Sequence, residues 1–447
     1  MKFGTDGVRG VANLEVSPEL ALGLGRAAAR VMGRGTWLVG RDTRRSGPML
    51  AAALAAGLAS EGASVEDLGV VPTPGVAYLS ALDGRAAAMI SASHNPFGDN
   101  GIKLFTPGGH KVDDATERRL EAEVAALGPG GGAGDRLSGA SVGTLTTDPI
   151  GWHRYAEHLE RDVLDGRDLA GLRIVIDCAN GAASVVAPQV LRALGVAVTV
   201  LHAEPDGINI NVDCGSNRPE VLQRAVVDAG ADAGLAFDGD ADRLVAVDAG
   251  GQVVDGDQII AICAVDRHRR GMLTENTVVV TVMTNLGFHH AMIDQGIQVV
   301  ETAVGDRSVL RALQDRQLSI GGEQSGHVIF ADLATTGDGV LTGIQLLDVM
   351  ARSSRPLGEL ASVMTRLPQV LVNVEVDRRD PDLLEHLADD VTRAELDLGR
   401  DGRVLVRPSG TEAMVRVMVE APSADRARDI AERLADAVRR ATRAGEG

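Results

Sequence analysis

The sequence predicts an α/β protein of several domains: three similar α/β units with mixed, mostly parallel sheets, then a smaller C-terminal α+β domain. Three observations predict it. The chain has 447 residues, more than one hydrophobic core can serve. Short apolar runs alternate with helical patterns over most of its length, the signature of parallel strands covered on both faces. Beyond Pro368 the order changes, and strand-like runs at Val370–Val376, Arg403–Arg407 and Met414–Glu420 lie close together with fewer helices, which reads as antiparallel sheet. The expected domains are 1–150, 151–253, 254–366 and 367–447.

In the first unit, Ser17 is placed to cap a helix from Pro18 to Val31, with proline at the first helical position. Trp37–Asp42 and Ala63–Leu68 read as strands on either side of an alanine-rich helix, Pro48–Glu61. Pro72-Thr-Pro74 opens another helix, and Ala86–Ile90 is a short buried strand. Gly23-Leu-Gly25 falls inside a helical pattern rather than after a strand, so it is no dinucleotide fingerprint. Gly128–Gly134 is a flexible loop by composition, and Trp152–Leu164 a connecting helix. The second unit has strands Arg173–Asp177, Ala197–Leu201 and Ala233–Phe237, with helices Ala183–Leu194 and Pro219–Ala229 between them. The third has strands Thr277–Val282, Gln298–Glu301 and Leu318–Ile320. The shared strand–helix order points to one unit used three times. Ser423–Ala441 is an amphipathic closing helix.

Composition narrows the function. Only 2% of residues are aromatic, so the cores must be built from Ala, Val, Leu and Ile. A net charge of −18 argues against a nucleic-acid partner. An anionic ligand then needs a locally basic pocket. Cys178, Cys214 and Cys263 are scattered, fitting neither a disulfide frame nor a zinc pattern, and are expected in a reducing cytoplasm. No apolar signal core opens the chain, and no stretch approaches the ~20 apolar residues of a membrane span, so no membrane partner is expected.

Five segments carry candidate chemistry. Ser91-Ala-Ser-His-Asn-Pro96 follows the Ala86–Ile90 strand, and Phe97-Gly-Asp-Asn-Gly101 continues the turn that Asn95-Pro96 starts. Two hydroxyls and the His94 imidazole thus sit at a strand end, where α/β proteins place their chemistry. Alone, this is equally a polar turn. Asp238, Asp240 and Asp242 stand at alternate positions beside Gly239; in a turn they converge, and a hard divalent cation relieves their repulsion. An EF-hand fails, because its sixth and twelfth loop positions fall on Arg243 and Ala249. Magnesium fits best, and a solvated acidic turn is the bland alternative. Glu323, Gln324, Ser325 and His327 lie among glycines and suit a polyhydroxylated ligand, with Gly305-Asp306-Arg307 as a supplement. Arg407-Pro-Ser-Gly-Thr-Glu412 offers a guanidinium, hydroxyls and backbone N–H groups for a phosphate, with Arg416 as a second cation. Gly4-Thr-Asp-Gly-Val-Arg-Gly10 brings Arg9 on a glycine-rich start. Together they specify phosphoryl transfer on a phosphosugar, in a cleft where the units meet.

These motifs, with Asn100-Gly-Ile-Lys103, resemble the α-D-phosphohexomutase superfamily over nearly the whole chain. The resemblance implies a heart-shaped, four-domain enzyme. It implies that Ser93 carries the phosphoryl group as phosphoserine, and that one Mg²⁺ binds the phosphoserine and Asp238, Asp240 and Asp242. Arg243 then offsets charge, and Glu323 and Ser325 hold sugar hydroxyls, supplemented by Gly305 and Asp306. Arg407, Ser409, Gly410, Thr411 and Arg416 grip the substrate phosphate. His94 belongs to the catalytic loop, and Lys103, Arg9 and His327 are the candidates for proton handling. A hexose 1,6-bisphosphate, of glucosamine or glucose, is the intermediate and activator. Gly4–Gly10, Asn95-Pro-Phe97 and Gln324 resemble the glucosamine type, which feeds amino-sugar cell-wall precursors, rather than the mannose/glucose type, which is the alternative. Pro408 and Ala413 depart from that type, where a basic residue and a proline are common. The resemblance leaves open an activating kinase or autophosphorylation, and a monomer or homodimer. A non-catalytic phosphosugar sensor is the rival from another class, and the intact Ser93 and aspartates speak against it.

Overall fold

Four sheets carry the chain in the computed structural model, which describes residues 4, 7–128, 137–376, 383–408 and 414–444. The chain falls into two compact units: residues 1–283 with 297–363, and residues 284–296 with 364–447.

The larger unit holds three sheets. The first contains β1 (Val8–Val11), β2 (Thr36–Arg41), β3 (Ser64–Val70), β4 (Ala87–Ile90), β5 (Asp99–Phe105) and β6 (Leu145–Thr147), in the order β1-β5-β4-β2-β3-β6. β4, β2, β3 and β6 are parallel, while β5 turns back antiparallel to β4, and β1 to β5. The second contains β7 (Arg173–Asp177), β8 (Ala197–Leu201), β9 (Ala233–Phe237), β10 (Leu244–Asp248) and β11 (Val253–Val254), in the order β11-β10-β9-β7-β8. The third contains β12 (Thr277–Thr281), β13 (Gln298–Thr302), β14 (Ile320–Gly322) and β15 (Val328–Phe330), in the order β13-β12-β14-β15. In each, a parallel run ends in an antiparallel hairpin: β4–β5, β9–β10 and β14–β15. The bends of these hairpins are the Ser93, Asp238 and Glu323 loops. The unit used three times is therefore visible as a repeated placement of one functional loop.

The central strands β4 and β9 are buried at every position, which is why they read as unbroken apolar runs. Ser17 caps the helix Pro18–Met32, its Oγ accepting from Leu20 N at 3.3 Å. Gly25 serves packing rather than phosphate: a Cβ there would lie 2.2 Å from Leu54 O, and one on Gly57 would lie 2.2 Å from Leu22 O. The helices Pro18–Met32 and Gly47–Ser60 thus touch backbone to backbone. The surrounding core is aliphatic, with Leu24, Leu50, Leu54, Leu58 and Val39 buried.

The smaller unit contains β16 (Gln369–Glu375), β17 (Arg403–Pro408) and β18 (Met414–Glu420), antiparallel in the order β16-β18-β17. The closing helix Ala424–Ala444 buries Ala427, Ile430, Ala431, Leu434 and Val438, the spacing of one helical face. The buried Glu420 carboxylate accepts from Leu286 N at 2.8 Å and from Arg403 Nη2 at 3.2 Å.

Two expectations need correction. The turn expected through Gly101 ends earlier, because β5 begins at Asp99 and pairs on both sides, with β4 and with β1. Ladder pairing on both edges overrides the turn signal of Asn100-Gly101. The strand expected at Leu318–Ile320 lies at Ile320–Gly322, displaced toward residues whose glycines hide the pattern. Among the described residues, no helix is long and apolar enough to cross a membrane.

Candidate active site

The β4–β5 bend presents Ser93 with φ at 53°, the left-handed region that costs a non-glycine residue energy. Its N–H donates to Ser91 Oγ at 2.9 Å, and its Oγ donates to Asp238 Oδ2 at 2.5 Å. Ser91 is buried, and its hydroxyl donates to Asp42 Oδ2 at 2.7 Å. Of the two serines, Ser93 is the one that meets the aspartates, and Ser91 supports it.

Asp238, Asp240 and Asp242 are all buried, and one oxygen from each lies within 4.8 Å of the others. Convergence requires the tight β9–β10 bend, in which Ala241 takes φ 58°. Asp240 Oδ2 accepts from Thr73 Oγ1 at 2.6 Å and from Lys103 Nζ at 2.7 Å, and Lys103 Nζ stands 3.5 Å from Asp242 Oδ2. Thr73 N also donates to Asp240 O at 2.9 Å. Burial, then Asp242 and Asp240, push the Asp238 carboxyl well above the ordinary range. Burial also works against charge on Asp240 and Asp242, but Lys103 prevails over it and both stay low, with His327 adding to the effect on Asp242.

This donor set fits a divalent cation. Asp240 Oδ1 and Asp242 Oδ1 are buried and accept no hydrogen bond from the described residues. Three hard carboxylate donors at this spacing suit a hard divalent cation. A second group, Asp177, His202 and Cys214, is equally close-set, but the Asp177 oxygens already accept from Ala179 N and Gly215 N.

The flanking cations and imidazoles take distinct places. Arg243 N donates to Asp238 Oδ1 at 3.2 Å, and its Nε lies 3.8 Å from Asp242 Oδ1. His94 Nδ1 is 3.4 Å from Ser93 Oγ. Burial, then the charges of Arg243 and Arg9, pull His94 down to about 4, so it is neutral at pH 7. Arg9 lies on β1, opposite Gly101 of β5. His327 Nε2 accepts from Gly337 N at 3.2 Å, and its Nδ1 faces Asp242 Oδ1 at 3.7 Å. Its Nε2 is thus taken up by backbone, and its Nδ1 is turned toward Asp242.

Glu323 Oε1 accepts from Gly305 N at 3.0 Å, joining two predicted sugar-binding positions, while Ser325 is exposed. Asp306 is ion-paired with Lys111. In the smaller unit, Arg407 and Arg416 stand directly opposite each other across β17 and β18. Burial, then Arg416, pulls Arg407 below the ordinary arginine range. Like charges in register are unfavourable, and a bound anion relieves them. Ser409, Gly410 and Thr411 lie outside the described residues, as do Thr5 and Asp6.

Three residues at this site escape a sequence reading: Thr73, Arg44 and Asn211. Arg44 Nη2 donates to Ser93 O at 2.9 Å, and Asn211 Nδ2 to the same oxygen at 2.8 Å. Apart from the Arg44–Asp42 ion pair, their contacts are to backbone and to residues remote in sequence, so no local motif announces them. The density of cations in Arg41-Asp-Thr-Arg-Arg45 beside a strand end is the one signal available.

Comparison with known proteins matches four family models in order. Residues 1–129, 153–251 and 255–367 match the alpha/beta/alpha domains I, II and III of phosphoglucomutase/phosphomannomutase, and residues 371–437 match its C-terminal domain. The chain is 53% identical over 444 residues to the phosphoglucosamine mutase of Rhodococcus jostii (strain RHA1), covering 98% of each chain. Among solved structures, it superposes on a phosphoglucomutase/phosphomannomutase family protein from Burkholderia thailandensis with a TM-score of 0.79 at 24% identity, covering 98% of this chain and 97% of that one. It also superposes on the N-acetylphosphoglucosamine mutase of Aspergillus fumigatus in complex with GlcNAc-6P and magnesium, with a TM-score of 0.70 at 20% identity, covering 99% and 96%. A serine set against a buried acidic triad, in three repeated sheets and a fourth antiparallel one, agrees with all of this: the chain belongs to the phosphoglucomutase/phosphomannomutase family, the α-D-phosphohexomutases that its motifs resemble.

Proposed function

We propose that the chain is a phosphoglucosamine mutase, interconverting glucosamine 6-phosphate and glucosamine 1-phosphate through phosphoserine 93 and a 1,6-bisphosphate. The observation that carries this is the 2.5 Å contact between Ser93 Oγ and a buried triad built for a cation. The choice of sugar rests on the 53% identity to a phosphoglucosamine mutase over 98% of the chain. In this reading residues 1–150, 151–253, 254–366 and 367–447 are four domains, each giving one loop to the reaction. The setting is cytoplasmic, and the product feeds amino-sugar cell-wall precursors.

Asp238, Asp240 and Asp242 would hold Mg²⁺ together with a phosphoserine oxygen. When bound, the ion supplies positive charge against the transferring phosphoryl group. The rest falls to the protein. Arg407, Ser409, Gly410, Thr411 and Arg416 bind the phosphate that does not react, and Glu323 and Ser325 orient sugar hydroxyls. Lys103 and Arg9 add positive charge to the transfer site, where positioning and charge do most of the work. When the phosphoryl group returns from the bisphosphate to Ser93, the Oγ proton ends on the sugar oxygen that gives the group up, and Lys103, Arg9 and His327 are the candidates for relaying it. Glucose or glucosamine 1,6-bisphosphate, as activator, reloads enzyme that has lost its phosphoryl group.

The test is turnover of glucosamine, glucose and mannose 6-phosphates side by side, with intact-mass measurement of the phosphoryl adduct. The highest kcat/KM is expected on glucosamine 6-phosphate. A preference for glucose or mannose 6-phosphate would move the chain to the other branch of the family.

A further inference from the structure

We propose that Arg44, together with Asn211, is a positioning residue that locks the Ser93 peptide in the conformation needed for phosphoryl transfer. The inference rests on the reading of Ser93 as the phosphoryl carrier. Arg44 is fully buried, and its guanidinium is spent on backbone. Its Nη2 donates to Ser93 O at 2.9 Å and Asn95 O at 2.8 Å, and its Nη1 donates to Asp99 O at 2.9 Å and also to Pro96 O. All four carbonyls belong to the serine bend and the start of β5. Its Nε donates to Asp42 Oδ2 at 2.8 Å, and the same oxygen accepts from Ser91 Oγ, which in turn receives Ser93 N–H at 2.9 Å. One ion pair therefore governs both the N–H and the C=O of Ser93.

The second grip comes from another sheet. Asn211, between β8 and β9, donates from Nδ2 to Ser93 O at 2.8 Å and to Asn95 O at 3.1 Å. Ser93 thus holds its left-handed φ of 53° because donors from two sides fix its carbonyl. With the peptide plane fixed, Oγ has little choice but to face Asp238. Stability alone is a weak reason for this design, since a buried ion pair is often no better than an apolar one. A planar fork with five N–H donors is, however, the one side chain able to hold four carbonyls at once; a lysine ammonium has three donors on one atom.

The test uses the full-length, magnesium-loaded enzyme with Arg44→Lys, Asn211→Ala and the double variant. The readouts are kcat, KM for glucosamine 6-phosphate, single-turnover transfer from phosphoserine, and the thermal midpoint. A misplacement near 1 Å lowers rate by about 10²-fold, so each single variant should lose kcat on that order while KM stays within about threefold of wild type. Because both groups hold one oxygen, the double variant should lose less than the product of the single losses. Asn211→Ala covers the case in which Arg44→Lys does not fold. The inference is overturned if folded Asn211→Ala turns over at the wild-type rate, if its loss lies in KM, or if the two losses multiply. Wild-type enzyme without phosphoserine or mutase turnover would instead sink the functional reading beneath it.

Discussion

Ser93 Oγ and Asp238 Oδ2 meet at 2.5 Å although 145 residues of chain separate them. The contact joins the bends of two hairpins from different sheets, and on the proposed function it makes Ser93 rather than Ser91 the phosphoryl carrier. Ser93→Ala should abolish turnover and the phosphoryl adduct seen by intact mass, while calorimetry still detects phosphosugar binding. Turnover at the wild-type rate in that variant would remove Ser93 from the mechanism.

Asp238 sits in a field that opposes its charge, through burial first and then through Asp242 and Asp240. A carboxyl whose folded value is raised favours the cation-free fold at low pH, and this contribution is lost as pH rises through the raised value. A dication works in the other direction, since it needs the carboxylate. Magnesium should therefore raise the thermal midpoint, by about 2.7 kcal/mol of linkage at one hundred times Kd. At a fixed magnesium concentration the gain should grow as pH rises, because protons compete for Asp238. A magnesium effect that grows as pH falls would contradict this electrostatic picture.

Thr73 is the hydroxyl that orients Asp240, at 2.6 Å, from the start of the helix Thr73–Asp83. Thr73→Val keeps the shape and removes the donor. Removal of such a supporting hydrogen bond costs about 10–100-fold in metal affinity or activity. The loss should appear as a higher magnesium concentration for half-maximal rate. An unchanged magnesium titration would show that Lys103 alone orients Asp240.

Much of this was legible before any coordinates. Arg173–Asp177, Ala197–Leu201 and Ala233–Phe237 are strands with the bounds that the apolar runs indicate; in Arg173–Asp177 and Ala233–Phe237 burial on both faces leaves little room for polar residues, and Ala197–Leu201, an edge strand, keeps the apolar run without that burial. The Asp238–Asp242 alternation announced the triad, since few structures tolerate three carboxylates together without a cation. β5 was hidden because Gly101 looks like a turn. Yet glycine is required in that strand by close approach, as a Cβ would lie 2.7 Å from Ser91 O and 2.8 Å from Val8 O. Arg44, Asn211 and Thr73 were hidden for another reason: their partners are set by tertiary placement and leave no period or spacing in the sequence. His327 is legible as a candidate for proton handling, while the hydrogen bond that its Nε2 accepts from Gly337 N is set by the fold and not by the sequence.

Asp338 offers a stability test with a sign. It caps the helix Gly339–Ser353, its Oδ1 accepting from Leu341 N at 2.9 Å and its Oδ2 from Tyr155 Oη at 2.7 Å. Burial raises it to about 6 despite those bonds. Its contribution to stability is thus full below the unfolded carboxyl value near 4 and is lost as pH rises through about 6. Asn is an equally good cap and carries no charge. Asp338→Asn should therefore raise the thermal midpoint at pH 7.5, by a free energy of order 2 kcal/mol, with the advantage vanishing near pH 4. A variant destabilised at pH 7.5 would mean that the Tyr155 hydrogen bond to the carboxylate outweighs its desolvation.

Gly239 tests whether the serine and metal loops function as one piece. A Cβ on this residue would lie 2.5 Å from Ser93 O and 2.9 Å from Asn211 Nδ2, so the two bends touch through the hydrogen of a glycine. No positive φ constrains the position, and any effect of Gly239→Ala is therefore steric. The added methyl cannot move away, because Gly181 packs on the other side, where a Cβ would be 2.3 Å from Gly239 O. The serine bend must give, carrying Ser93 Oγ away from Asp238. Gly239→Ala should cost about 10²-fold in kcat, the scale of a displacement near 1 Å. Overpacking of this kind costs about 1–3 kcal/mol, so the variant should remain folded at 25 °C. Full activity in the folded variant would show that phosphoryl transfer tolerates a looser fit between the two loops than their contact implies.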